Sequence, residues 1–171
     1  IGRSSRDFPR LPDPTVASGA DIQYVNTPGA ALADMLDRVA FSVCKDETRF
    51  HLNGILIECD GTNVRMVTTD GHRLTRHDAP MPGPVTHGVI LPSKSATEIA
   101  KLLRSEKGSA CSWALTQTHM FVRCGAWTIA TKLIDAQFPP YEQVIPKGHE
   151  KLATVERKPL IAALKRAKRV C

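Results

Sequence analysis

From Pro28 onward, apolar side chains at Leu32, Met35, Leu36 and Val39 recur at three- and four-residue spacing. That spacing lays one apolar stripe along residues 28 to 41 and predicts an amphipathic helix. Thr27 and Pro28 read as its N-cap and first helical residue, since a threonine oxygen accepts an orphan amide and proline has none to satisfy. Ahead of the helix, Asp21 to Val25 predicts a short strand. From Arg49 to Leu74 the pattern changes to that of strands, with Leu52, Ile55, Leu56 and Ile57 in one run and Val64, Met66 and Val67 in the next. Asp70 and Gly71 then predict a hairpin tip leading into His72 to Arg76.

A second round opens at His87 to Leu91, which reads as a buried strand running through Pro92 into a helix. Ser95 and Glu98 are spaced as a capping box, and Ala96, Ile99, Leu102 and Leu103 form the inner face. Gly108 lies just beyond its expected end. Ala110 to Leu115, His119 to Cys124 and Trp127 to Ile134 predict three more strands, with a turn at Gly125 and Ala126. A third round begins with Leu152 to Glu156 as a strand and Pro159 as a helix start. The order strand, helix, three strands thus occurs twice and starts again, a repeat of elements rather than of letters. Repeats of this kind build rings, solenoids or propellers.

Composition narrows the classes. The 171 residues are 42% hydrophobic and 23% charged, which suits a packed core, and the formal net charge of +6 favours a polyanionic partner. No apolar stretch approaches the roughly 20 residues of a membrane span. Cys44, Cys59, Cys111, Cys124 and Cys171 show no C-x-x-C spacing, and their odd number argues against a complete disulfide framework and for a reducing cytoplasm. The first residue is Ile1, no signal-peptide pattern follows it, and the last helix pattern has no stop signal. These features read as an internal fragment of a longer chain.

Candidate chemistry is sparse. Asp70 and His72, with Asp46 and Glu47, are the residue types of a metal site or an acid–base pair, but no H-E-x-x-H, G-x-S-x-G or phosphate loop accompanies them. An Asp-Gly pair is first of all a turn, so neither a catalytic residue nor a metal or cofactor is assigned. Cations recur on successive helices: Arg38 on the first, Lys94, Lys101 and Arg104 on the second, Lys165, Arg166, Lys168 and Arg169 on the third. Such residues often form only a solvated face. Their repetition points to a phosphate backbone bound without base readout. At 5% aromatic content the chain is poorly equipped to stack single strands, so duplex contact fits better. Residues 135 to 146 hold three prolines among apolar residues and read as an ordered linker or the wall of a peptide groove.

Three stretches, Thr48 to Gly54, Thr69 to Leu74 and Lys132 to Pro146, closely resemble the bacterial sliding clamp family, the beta subunit of DNA polymerase III. The resemblance covers nearly the whole chain in the family's order. It implies an α+β DNA clamp fold, with two strand-helix-strand-strand-strand units per domain, sheets outside and helices lining a DNA channel. It further implies that residues 1–20 end a first domain, 21–146 form the middle domain and 147–171 begin a third. The family is non-enzymatic and cytoplasmic, and its subunits close head to tail as a homodimeric ring around duplex DNA. Its partners are the polymerase III catalytic subunit, the clamp loader, and other polymerases and repair proteins that carry short clamp-binding motifs. By the same resemblance, the groove for those motifs matches Leu52, Thr69, Gly71, His72, Arg73, Leu74, Pro139 and Val144. DNA-facing positions match Arg38, Phe50, His51, Lys94, Lys101, Arg104, Lys165 and Arg169. Ser93 stands where many relatives carry a base, which removes one expected phosphate contact. The alternatives are a basic duplex-binding regulator without topological linkage and, behind it, a metal-dependent nuclease using Asp70 and His72.

Overall fold

The computed structural model describes residues 22–106, 108–148 and 150–169. They fall into two compact units that divide between Phe138 and Pro139. In the first unit, strand β1 (Val25–Asn26) leads into helix α1 (Gly29–Ala40), a short 3-10 helix (Glu47–Leu52), and strands β2 (Gly54–Cys59), β3 (Asn63–Thr69) and β4 (Leu74–Pro80). Then β5 (Thr86–Pro92), helix α2 (Ser93–Ser105) and strands β6 (Cys111–Leu115), β7 (His119–Cys124) and β8 (Trp127–Lys132) repeat the order. The twofold repeat of strand, helix and three strands is therefore present.

The two halves exchange their first strands. All pairings are antiparallel, in sheet orders β1-β6-β7-β8 and β4-β3-β2-β5. Each leading strand thus completes the sheet of the other half. Alternation decides the inner faces: Ile55, Ile57 and Cys59 of β2, Val64 and Met66 of β3, Trp113 of β6, and Met120 and Val122 of β7 turn toward the helices. Leu32, Met35, Leu36 and Val39 of α1 and Ala96, Ile99, Ala100 and Leu103 of α2 meet them in one core. Each large side chain so buried stabilises the fold by about 1.5–3 kcal/mol. Leu102, expected on the inner face, is only half-buried, because Ala100 takes that position on the stripe.

Several local expectations are corrected. Thr27 does not cap α1: Pro28 is the N-cap residue, without a side-chain cap. The Thr27 hydroxyl instead donates to the Pro82 carbonyl at 2.6 Å and accepts from the Trp113 indole at 3.0 Å. Ser95 and Glu98 form no capping box, because α2 already starts at Ser93; the Ser95 hydroxyl meets that of Thr131 at 2.7 Å, and Glu98 pairs with Lys101. Arg49 to Leu52 are 3-10 helix rather than strand, started by the Asp46 carboxylate, which accepts the Thr48 amide. Of the strand expected over Asp21 to Val25, only Val25 is paired, and Asp21 lies outside the described residues. Cys111 and Cys124 face each other in register across β6 and β7, with Cα atoms 4.4 Å apart, and form a disulfide. Cys44 and Cys59 are free and buried, so the described residues hold one bridge; Cys171 lies outside them.

In the second unit a 3-10 turn (Tyr141–Gln143) precedes helix α3 (Arg157–Ala167). Leu152 to Glu156 form no strand and are exposed, and α3 begins two residues before Pro159. Proline is tolerated there because the first turn of a helix has no carbonyl to receive its missing amide. No helix among the described residues is long and apolar enough to cross a membrane.

Candidate functional site

The β3–β4 hairpin closes through four residues, Asp70 to Arg73, between the paired Thr69 and Leu74. Gly71 sits at φ +89°, a left-handed conformation that a side chain would strain, which explains glycine at this point of the turn. Asp70 organises the rest. Its carboxylate accepts the amides of His72 and Arg73, both at 3.0 Å, and the Arg73 Nε at 2.9 Å. The His72 amide first, and then the Arg73 amide and side chain, hold this carboxyl below the usual carboxylate range against an opposing effect of burial. The Thr69 hydroxyl donates to the Arg73 carbonyl at 2.8 Å and accepts the Gly71 amide at 3.1 Å. Asp70 thus spends its oxygens on holding the turn, and His72 is left exposed at its apex.

Around the tip the structure adds residues that the spacing did not single out. Phe41, just past the end of α1, is 60% exposed, and the Arg73 guanidinium lies 5.7 Å from its ring centroid. Arg49 Nη1 donates to the Asp70 carbonyl at 3.4 Å and ties the 3-10 helix to the tip. Ser42 and Thr75 share a 2.6 Å hydroxyl contact that fastens the end of α1 to the start of β4. The signal for Phe41 was available, because a large apolar residue one step off the α1 stripe has no place in the core.

The expected groove residues divide. Thr69, Gly71, His72, Arg73 and Leu74 come together at one tip, with Leu74 half-buried beneath it. Leu52 ends the 3-10 helix that Arg49 ties there, but it is buried and offers little surface. Pro139 and Val144 belong to the second unit, where Val144 is exposed and donates its amide to the Tyr141 carbonyl.

The expected DNA-facing residues also divide. Arg38 on α1 and Lys94, Lys101 and Arg104 on α2 are all exposed on the solvent faces of the two helices. Phe50 is exposed and meets His51 edge-on, with ring centroids 5.8 Å apart. Lys165 on α3 and Arg169 beyond it are exposed in the second unit. Three of the four helix cations of the first unit are not bare, however. Arg38 bonds Asp34 at 3.1 Å, Lys101 bonds Glu98 at 2.8 Å, and Arg104 contacts Asp37 of the neighbouring helix. Reading cations alone missed these carboxylates.

Residues 26–140 match the family described as DNA polymerase III beta subunit, central domain. The chain is 36% identical over 170 residues to the beta sliding clamp of Pseudomonas aeruginosa, covering 96% of this chain and 46% of that protein. The chain therefore spans about half the length of the curated relatives it matches. Among solved structures, a DNA polymerase sliding clamp from Pseudomonas aeruginosa with ligand superposes with a TM-score of 0.83 at 33% identity, over 96% of this chain and 44% of that one. A sliding clamp of the same organism bound to griselimycin gives a TM-score of 0.80 at 34% identity, over 95% and 43% of the two chains.

Proposed function

This chain belongs to the family of the DNA polymerase III beta subunit, and from that premise we propose that it is the middle part of a replicative sliding clamp. In this reading residues 21–146 form the middle clamp domain, 1–20 end the first and 147–171 begin the third. The complete protein closes head to tail as a homodimeric ring around duplex DNA in the cytoplasm. It performs no chemistry itself, and it tethers the catalytic subunit of DNA polymerase III after a clamp loader has placed it. Helices α1 and α2 line the channel, with Arg38, Lys94, Lys101 and Arg104 toward phosphate and Phe50 and His51 beside them. Lys165 and Arg169 serve the same purpose in the third domain.

The observation that carries the reading is the ordered hairpin tip. A short peptide gains most from a surface whose orienting groups are already fixed, because ordering them on binding would subtract from affinity. Here Asp70 and Thr69 fix the backbone through the Gly71, His72 and Arg73 amides, while the side chains of Arg73 and His72 stand exposed beside the apolar Leu74 and Phe41. That arrangement suits leucine and aromatic side chains of a linear motif, with Thr69 in the same turn. The griselimycin-bound relative is consistent with a ligand-binding surface in the family.

The test uses the complete parent protein, loaded onto nicked circular duplex by its clamp loader. Retention at high salt that vanishes when the circle is cut is the expected result. Loss on raising salt alone, with no effect of cutting, would mean ordinary counterion-release binding and the duplex-binding regulator instead. In parallel, Arg73→Ala, Leu74→Ala and Pro139→Ala are expected to weaken binding of a glutamine-leucine-x-leucine-phenylalanine peptide. Unchanged affinity in all three removes the groove assignment.

A further inference from the structure

The solvent faces of α1 and α2 adjoin, since Asp37 on the first helix contacts Arg104 on the second. Together the two helices carry Arg38, Lys94, Lys101 and Arg104 against Asp34, Asp37 and Glu98, a net charge of only +1. Helix α3 is different: Arg157, Lys158, Lys165 and Arg166 lie within it with no carboxylate. Pairing is therefore a property of the α1–α2 face and not of every basic helix in the chain.

The paired groups are all exposed. Side-chain exposure is 62% and 64% for Arg38 and Asp34, 65% and 59% for Lys101 and Glu98, and 50% and 43% for Arg104 and Asp37. Exposed pairs of this kind add little to stability. Their effect on an approaching phosphate is larger in proportion. Each paired cation must trade a carboxylate for the phosphate, and the released carboxylate stays well inside the Debye length of about 8 Å at physiological salt. Of the four cations on this face, only Lys94 has no carboxylate partner among the described residues.

We infer that Asp34, Asp37 and Glu98 form a built-in electrostatic screen that keeps the α1–α2 face weakly attractive to duplex phosphate, so that the face guides DNA without gripping it. The inference rests on the reading of this face as the channel lining. Four bare cations would give a salt slope near −3.6, whereas a net single charge leaves about −0.9. A ring that must travel along its track benefits from the smaller number, because each firm phosphate contact is one more to break at every step.

The experiment takes the complete parent protein with Asp34→Asn, Asp37→Asn and Glu98→Gln combined. Two quantities are read: the salt slope of its affinity for linear duplex, and its diffusion along end-blocked duplex after loading. The triple variant is expected to steepen the slope by as much as about 2.7 and to diffuse more slowly at low salt, with the difference disappearing at high salt. Should loss of the Asp37–Arg104 link unfold the domain, Asp34→Asn with Glu98→Gln leaves that link intact, with an expected steepening of up to about 1.8. An unchanged slope in a folded variant overturns the screen and leaves the pairs as helix stabilisers only. Failure of the underlying reading looks different, because wild-type protein would then leave an uncut circle as salt rises; the slope measures the screen in either case.

Discussion

Replacing Thr27 by valine keeps the shape of the side chain and removes one oxygen, which isolates what that oxygen does. The Trp113 indole N–H is fully buried and has the Thr27 hydroxyl 3.0 Å away. Valine leaves this buried donor without its acceptor, at a cost of about 1–3 kcal/mol. The second bond, to the Pro82 carbonyl, weighs less because Pro82 is exposed and water can replace the hydroxyl. A net loss of about 2 kcal/mol follows, equivalent to a roughly thirty-fold rise in the local opening equilibrium. Thr27→Ser retains the oxygen and gives up one methyl, worth about 0.8 kcal/mol. Hydrogen exchange of the α1 and β6 amides in the complete parent protein separates the two, with valine accelerating exchange well beyond serine. Equal exchange in the two variants would refute the assignment of Thr27 as the acceptor that secures Trp113.

Two further outcomes follow from single positions. Gly83→Ala would set a Cβ 2.6 Å from the Trp113 ring, 2.9 Å from Cys59 Sγ and 3.1 Å from Val64 Cγ2, so overpacking should cost about 1–3 kcal/mol in urea unfolding, and no loss would mean that the loop can move aside. Asp70 has a folded-state pKa depressed below the ordinary value of about 3.9, so its contribution to the tip is fully present above that value and lost as pH falls through the lower one. Its carboxyl carbon shift in an NMR titration should therefore report a midpoint below that of a free aspartate, and a midpoint at or above it would remove the hydrogen-bonded turn.

What could be read from the chain was whatever depends on neighbours in sequence. The α1 stripe from Leu32 to Val39, the run Val64 to Val67 and the turn at Asp70 and Gly71 all stand where their spacing places them. Thr27 and Ser95 were misread for one reason. Each precedes or opens a helix, where a hydroxyl usually caps, yet each lies against another element that claims its oxygen. The Cys111–Cys124 bridge depends on the β6–β7 register, which no cysteine spacing encodes. At the tip, the local turn chemistry was legible, while the packing of Arg73 over Phe41 needed the fold to bring residues from α1 and the hairpin together.

The exchange of leading strands explains why Thr27 matters as much as it does. The two exchanged strands are unequal: β5 pairs with β2 over most of its length, from Gly54 against Pro92 to Cys59 against Thr86, whereas β1 offers β6 only Val25 and Asn26. Two residues of ladder make a weak seam. The connection is extended by the Thr27 amide, which donates to the Cys111 carbonyl at 3.0 Å, and then by the Thr27 hydroxyl bridging Trp113 and Pro82. One residue thereby joins the start of α1, the second sheet and the segment entering β5. Because each half completes the other's sheet, loosening that seam does not free one half alone. It weakens the support of α1, whose end carries both Arg38 on the proposed channel face and Phe41 at the hairpin tip, so the two candidate surfaces share one structural dependence.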